Sequence, residues 1–92
     1  MASRRTTRDL MKLYRDGTPI SIVTCYDYTF ARLVHIADVD TILVGDSLGN
    51  VIQGRDTTLP VERDDIIYHT RAVMRGNPSA HVVADMPFMS YQ

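Results

Sequence analysis

The chain has 92 residues, of which 45% are hydrophobic and 23% charged, with a net charge of −1 at neutral pH. These proportions are typical of a globular domain, and the scattered basic residues argue against binding to nucleic acid or to an anionic membrane. No segment has the apolar length of a signal peptide or of a membrane span, so a cytoplasmic location is expected. The single cysteine, Cys25, has no activating base nearby in sequence and is expected to be a buried hydrophobic residue.

The first part of the chain predicts a helix and then a strand. The segment TTRDLMKLYRDG has apolar residues at helical spacing, with Thr6 or Thr7 able to cap its start and Gly17 able to end it. Ile20 to Tyr26 is compact and rich in β-branched residues, which indicates a buried strand.

A helix is predicted next, with Asp27 as its N-cap and an end near Asp38. Its expected apolar face consists of Phe30, Leu33, Val34 and Ala37.

The rest of the chain predicts two more strands and one more helix. Thr41 to Val44 forms the second strand, and a glycine-punctuated loop runs from Gly45 to Pro60. A helix from Glu62 to Arg75 follows, and Ala80 to Asp85 forms the third strand. The residues expected to face inward on this helix are Ile66, Ile67, Thr70, Val73 and Met74. The whole order is an N-terminal helix followed by β-α-β-α-β.

Alternating strands and helices predict an α/β fold with a parallel sheet, because parallel neighbours are joined by crossovers. Asp46 and Asp85 follow the second and third strands, so they are expected at the same carboxyl edge, where such sheets hold ligands. Two neighbouring carboxylates repel each other unless a cation binds both, and Mg²⁺ suits one or two carboxylates. The alternative for each aspartate is to cap the turn that follows it. A phosphate-binding glycine loop is disfavoured, because GDSLG lacks the G-x-G-x-x-G spacing.

Four segments carry a family resemblance: VTCYDYTFA, ILVGDSLGNVIQGRDTTLPV, DDIIYHTRAV and VVADMPFMSYQ. In this order and spacing they resemble the N-terminal part of the ketopantoate hydroxymethyltransferase family. The resemblance implies that residues 1–92 belong to a single (β/α)8 barrel domain, here an incomplete barrel with its first three parallel strands.

The resemblance also implies a reaction. The family transfers a hydroxymethyl group from 5,10-methylenetetrahydrofolate to 3-methyl-2-oxobutanoate, which gives 2-dehydropantoate for pantothenate synthesis. By this resemblance Asp46 and Asp85 are Mg²⁺ ligands, and Asp46, Ser47 and Asp85 contact the oxo acid. The catalytic lysine and glutamates are expected beyond Gln92, so no catalytic residue is assigned here and the chain alone is expected to be inactive. The complete protein is expected to be a homo-oligomer.

Two positions depart from the family pattern. Asp38 stands where glycine is common, which costs about 1 kcal/mol if the backbone is left-handed there. Glu62 stands where a threonine usually caps the helix. His69 and His81 are expected to have surface or packing roles rather than to act as bases.

Two other functions remain as alternatives. One is a non-catalytic remnant that binds metal or associates with complete subunits. The other is an enzyme of the phosphoenolpyruvate mutase and isocitrate lyase type, which shares the barrel and the Mg²⁺-stabilised enolate but fits DSLGN and ADMPFMSYQ less well.

Overall fold

A computed structural model describes residues 3–87 of the chain. Its elements in chain order are α1 (Thr7–Arg15), β1 (Ile22–Thr24), α2 (Tyr28–Ile36), β2 (Thr41–Val44), α3 (Leu48–Val51), α4 (Arg63–Gly76) and β3 (His81–Ala84). The last five residues of the family resemblance, FMSYQ, lie outside the described residues.

The three strands form one parallel sheet in the order β1-β2-β3. Thr41 of β2 is in register with Ile22 on one side and with His81 on the other. The helices α2 and α4 make the crossovers between neighbouring strands, as the alternating sequence pattern predicted. All three carboxyl ends therefore lie at the same edge of the sheet.

Local capping contacts explain where two of the helices begin. The backbone N–H of Asp9 donates to the Thr6 hydroxyl, and the Asp9 carboxylate accepts from the Thr6 backbone N–H at 2.7 Å. Asp27 accepts from the backbone N–H of Phe30 at 2.8 Å at the start of α2. Both contacts satisfy N–H groups that a helix leaves free in its first turn, and both caps agree with the sequence prediction.

The start of α4 is capped from inside the helix. Glu62 is the N-cap residue and forms a capping box with Asp65. Asp65 accepts from the Glu62 backbone N–H at 2.8 Å. This carboxylate in the first turn stabilises the start of α4.

The main core lies between the sheet and the helices α2 and α4. Ile42 and Val44 of β2 are fully buried against Ala31 of α2 and Val73 of α4. The two helices come close together because Gly76 has no side chain at their contact.

The predicted inward faces of both helices are partly wrong. On α2, Phe30 and Leu33 are 61% and 55% exposed, and the buried residue is Ala31. On α4, Ile66 and Val73 are buried as predicted, whereas two of the expected inward residues, Ile67 and Met74, are exposed. Ala31 faces inward because it is the residue that packs beside Gly76, where a larger side chain has no room.

Two segments also differ from prediction. The strand β1 is shorter than Ile20 to Tyr26, and Ile22 is 65% exposed because only one face of the strand is covered by helices. The predicted loop from Gly45 to Pro60 contains the short helix α3, so the element order has one helix more than expected. The hydrogen bonds from Val51 to Ser47 and from Ile52 to Leu48 form this turn.

The amino edge of the sheet is closed by the segment before α1. The backbone of Arg5 bonds to Ser79, and its guanidinium pairs with Asp38 at 2.9 Å and with Asp40 at 3.4 Å. His81 places its Nδ1 3.0 Å from the Arg5 carbonyl oxygen, which agrees with the packing role expected for this histidine. None of the helices within residues 3–87 is both long and apolar enough to cross a bilayer.

Candidate functional site at the carboxyl edge of the sheet

The predicted site residues follow directly from the ends of two neighbouring strands. Val44 is the last residue of β2. It is followed by Gly45, Asp46 and Ser47. Asp85 comes directly after β3, and its backbone N–H donates to the Val44 carbonyl oxygen at 3.0 Å. The two strands are thus neighbours, and both acidic residues lie at the same carboxyl edge, as the sequence predicted.

Gly45 lies between these residues and leaves a gap beside its backbone. A Cβ atom placed on Gly45 would lie 3.2 Å from Asp85 Oδ2 and 3.6 Å from Ser47 Oγ. The carboxylate of one strand end and the hydroxyl of the other therefore flank a single small space. Only glycine at this position leaves that space open.

The two carboxylates at this edge differ in their contacts from other aspartates in the described part of the chain. Among residues 3–87, neither the Asp46 nor the Asp85 side chain accepts a hydrogen bond or joins an ion pair. By contrast Asp27 caps a helix, and Asp40 accepts from the backbone N–H and hydroxyl of Ser21 at 3.0 and 3.1 Å. Within residues 3–87 the Asp46 carboxylate therefore caps no turn, whereas a turn-capping role of Asp85 would involve residues that lie outside the described part of the chain.

Ser47 begins the turn of α3 in a helical conformation, with φ of −58° and ψ of −12°. Its hydroxyl caps no backbone N–H of α3. Instead Ser47 Oγ lies 2.5 Å from the phenolic oxygen of Tyr26, which follows β1. Residues from the carboxyl ends of all three strands therefore meet at this edge.

Tyr26 is held by contacts on two sides. Its backbone carbonyl oxygen lies 2.7 Å from Nδ1 of His69 on α4. Its side chain packs against a buried cluster of Leu48, Val61 and Ile66. The sequence indicated that Tyr26 ends a strand, but its bond to Ser47 joins residues 21 positions apart and has no local sequence signal.

The residues present fit a magnesium ion. Among residues 3–87, no group of three or more His, Cys, Asp and Glu side chains is arranged to hold a metal. Magnesium commonly takes only one or two protein carboxylates and keeps waters or substrate oxygens as its other ligands. Asp46 and Asp85 at one edge of the sheet, with Ser47 and Asp85 both adjacent to Gly45, offer only hard oxygen donors, which is the ligand type that this requirement names.

Cys25 lies near this edge but belongs to the core. It is 3% exposed and packs with the main hydrophobic cluster. Burial raises the pKa of its thiol, because the thiolate would lose its hydration. The prediction that Cys25 is a buried hydrophobic residue is therefore confirmed.

A second cavity, of about 670 Å³, lies at the opposite, amino edge of the sheet beside α1. Its lining includes Arg5, Asp9, Asp38 and Asp40. These charged groups already have partners within the fold. Arg5 pairs with Asp38 and Asp40, and Asp9 accepts a hydrogen bond from Thr6. We place the candidate site at the carboxyl edge, because Asp46 and Asp85 follow the ends of neighbouring parallel strands there.

Comparison with known proteins identifies relatives along nearly the whole chain. A family model described as ketopantoate hydroxymethyltransferase matches residues 4–92. The 3-methyl-2-oxobutanoate hydroxymethyltransferase of Dechloromonas aromatica is 63% identical over 93 aligned positions, which cover 100% of this chain and 34% of that protein. The protein of the same name from Leptospira biflexa is 63% identical over 81 positions, which cover 88% of this chain and 30% of the relative.

A third relative with that name, from Idiomarina loihiensis, is 58% identical over 92 positions, which cover 99% of this chain and 35% of the relative. The chain thus spans about a third of the length of these curated relatives. Similarity of this extent distinguishes the chain from enzymes of the phosphoenolpyruvate mutase type. The chain belongs to the ketopantoate hydroxymethyltransferase family.

Proposed function

We propose that this chain forms the metal-binding and oxo-acid-binding edge of a transferase that makes 2-dehydropantoate from 3-methyl-2-oxobutanoate and 5,10-methylenetetrahydrofolate. The observation that carries the proposal is the position of Gly45 between the two strand ends: a Cβ atom placed on Gly45 would lie 3.2 Å from Asp85 Oδ2 and 3.6 Å from Ser47 Oγ. The names of the relatives, all 3-methyl-2-oxobutanoate hydroxymethyltransferases, support the choice of substrate.

Asp46 and Asp85 are the residues that would hold Mg²⁺. Their carboxylates have no partner among residues 3–87, so binding a cation breaks no contact that the fold requires. When bound, the ion acts as a Lewis acid that stabilises the negative charge developing on the oxo acid as its third carbon loses a proton. The two carboxylates keep the charge of the ion fixed at the edge of the sheet.

Ser47 would bind the carboxylate of the oxo acid. Its hydroxyl can donate one hydrogen bond, and a carboxylate only accepts them. The hydroxyl does not cap α3, and its one described contact is with the Tyr26 hydroxyl, which can itself donate and so leave the Ser47 hydrogen for the oxo acid. The oxo acid is thereby oriented with one end at Ser47 and its keto oxygen toward the aspartate pair.

A proton acceptor must come from elsewhere in the complete fold. His69 contacts this edge through Tyr26, and its Nδ1 already forms a hydrogen bond with the Tyr26 carbonyl oxygen. General base catalysis commonly contributes 10²- to 10⁴-fold in rate. We therefore propose that the 92-residue chain alone is inactive and that other strands supply the base.

We further propose that the sheet is the first part of a (β/α)8 barrel. Its three strands are parallel and adjacent in chain order, with helices in the crossovers, as such a barrel requires. On the face away from the helices, Ile22 and Val83 are exposed, which suits the interior of a closed barrel. A homo-oligomer of the complete protein remains our expectation, which sedimentation of that protein tests.

The experiment joins this chain to the rest of a relative and then replaces the carboxylates of Asp46 and Asp85 one at a time. Residues 1–92 replace the matching third of the Dechloromonas aromatica relative, and Mg²⁺ affinity is measured by calorimetry beside 2-dehydropantoate formation. We expect Asp46→Asn and Asp85→Asn each to weaken Mg²⁺ binding at least 10-fold and to abolish turnover. Asp16→Asn, an equal charge change near α1 at the other edge, is the matched control and should alter neither.

Unchanged Mg²⁺ affinity in both aspartate variants would exclude the shared metal site. Turnover by the isolated 92-residue chain would exclude the proposal that the base lies elsewhere.

A further inference from the structure

The hydroxyl of Tyr26 lies 2.5 Å from that of Ser47, at the point where the oxo-acid carboxylate is expected. We propose that Tyr26 is a positioning residue that fixes the direction of the Ser47 hydroxyl and so sets the affinity of the site for a carboxylate ligand. This inference rests on the proposed function, because it assigns Ser47 to the same substrate.

The number of donor hydrogens determines which of the two hydroxyls, Tyr26 or Ser47, is the donor in their hydrogen bond when a ligand is present. Each hydroxyl has one hydrogen to donate, and the two oxygens share a single contact. A carboxylate can only accept hydrogen bonds, so the Ser47 hydroxyl must donate its hydrogen to the ligand. Tyr26 then donates to Ser47 Oγ, which leaves a chain from Tyr26 through Ser47 to the ligand in which each bond strengthens the next.

Tyr26 can act in this way because its own position is fixed. A carbonyl oxygen cannot donate, so the 2.7 Å contact with His69 requires a hydrogen on Nδ1 of the imidazole. This bond holds the Tyr26 backbone to α4. The packing of the ring against Leu48, Val61 and Ile66 holds its side chain, so the phenol is aimed at Ser47 before a ligand arrives.

The link also joins two separate strand ends. Tyr26 follows β1 and Ser47 follows β2, and backbone bonds of the sheet set the spacing of these strands. The hydroxyl pair therefore lies just beyond the ends of two hydrogen-bonded strands rather than within a single loop. Such support is what an oriented binding group needs.

The test is a double-mutant cycle in the completed chimaera described above. Tyr26→Phe removes the phenolic oxygen and keeps the ring, so the packing against the buried cluster is retained. We expect KM for 3-methyl-2-oxobutanoate to rise roughly 2- to 10-fold, the loss of one neutral hydrogen bond, with kcat nearly unchanged. Tyr14→Phe, on exposed α1, removes an equivalent hydroxyl and should leave KM unaltered.

The decisive variant combines Tyr26→Phe with Ser47→Ala. If Tyr26 acts through Ser47, the double variant has the same KM as Ser47→Ala alone. A purely structural role would give independent effects, so that the two changes in KM would multiply, and it would also lower the thermal midpoint of Tyr26→Phe. The same double-mutant cycle can be measured without turnover, by calorimetric titration of each variant with the oxo acid in the presence of Mg²⁺.

Three results would overturn the role of Tyr26: unchanged oxo-acid affinity in Tyr26→Phe, independent effects in the double variant, or unchanged affinity in Ser47→Ala. The first two leave the proposed function intact, because the Asp46 and Asp85 variants report on it separately. Unchanged Mg²⁺ affinity in those variants, together with an intact Tyr26 cycle, would instead overturn the proposed metal site and leave the role of Tyr26 standing.

Discussion

Gly76 of α4 faces Tyr28 at the start of α2 so closely that a Cβ atom on Gly76 would lie 2.6 Å from the Tyr28 carbonyl oxygen. The same atom would lie 2.8 Å from Ala31 Cβ. The approach of the two crossover helices thus depends on a hydrogen atom in place of a side chain. Because the helices cover the sheet, this contact also fixes the position of the buried residues of β2.

The first prediction is that Gly76→Ala destabilises the fold by about 1 to 3 kcal/mol, the usual cost of overpacking a core. The better helix propensity of alanine recovers up to about 1 kcal/mol but cannot relieve a clash with backbone. Urea denaturation followed by circular dichroism measures the change. Arg71→Ala, at an exposed position of α4, is the control and should differ from the parent by less than about 0.5 kcal/mol. Equal stability of Gly76→Ala and the parent would mean that the helices are not in such close contact.

A second prediction concerns Asp38, which has φ of 58° and also pairs with Arg5. Asp38→Gly and Asp38→Ala both remove the ion pair, so their difference reports only the left-handed backbone. We expect the glycine variant to be the more stable by about 1 kcal/mol. Denaturation midpoints compare the two. An alanine variant as stable as the glycine variant would contradict a left-handed conformation at this position.

The gap at Gly45 gives a third prediction. A methyl group at this position would lie 3.2 Å from Asp85 Oδ2, which is tight enough to displace the carboxylate by a few tenths of an ångström. Since displaced ligands bind poorly, Gly45→Ala should weaken Mg²⁺ affinity about 10-fold, as measured by calorimetry on the completed chimaera. The same substitution in an Asp85→Asn background should have little further effect. Full affinity in Gly45→Ala would place the metal away from this gap.

Asp9 provides a prediction for pH. The backbone N–H and then the hydroxyl of Thr6 bond to its carboxylate, and these bonds lower the pKa of Asp9 below its ordinary value of 3.8. A lowered folded-state pKa means that this stabilisation is present above pH 3.8 and is lost as the pH falls through the lower folded value. The protection factors of the amide hydrogens at the start of α1, which correct for the intrinsic exchange rate at each pH, should fall over that range.

Asp9→Asn removes the titrating group and is the comparison for this experiment. The variant should show weaker protection at neutral pH and no further fall in protection at low pH. Asp16→Asn, at the other end of α1, should keep the parent's behaviour. An unchanged pH profile in Asp9→Asn would assign the acid sensitivity to another carboxyl group.

The buried thiol gives the last prediction. Burial raises the pKa of Cys25, so the reactive thiolate is scarce in the folded state at neutral pH. Reaction with a thiol-specific disulfide reagent should be slow in the native chain and should accelerate strongly in denaturant. Equal rates in the two conditions would contradict the burial of this residue.

Much of the framework could be predicted from sequence because its signals are local. The β-branched run at Thr41–Val44, the caps Thr6 and Asp27, and the alternation of strands with helices are set by residues within a few positions of one another. Parallel pairing then places Asp46 and Asp85 at one edge, since crossovers leave little choice of strand direction.

The tertiary structure alone decided which helix face is buried and which residues meet at the site. On α2 the larger apolar residues Phe30 and Leu33 satisfy the helical period, but Ala31 faces inward because the space beside Gly76 admits only a small side chain. The bond between Tyr26 and Ser47 likewise depends on the spacing of two strands. Helical period and strand propensity describe one segment at a time, whereas the fit of neighbouring segments depends on the volumes that each leaves to the other.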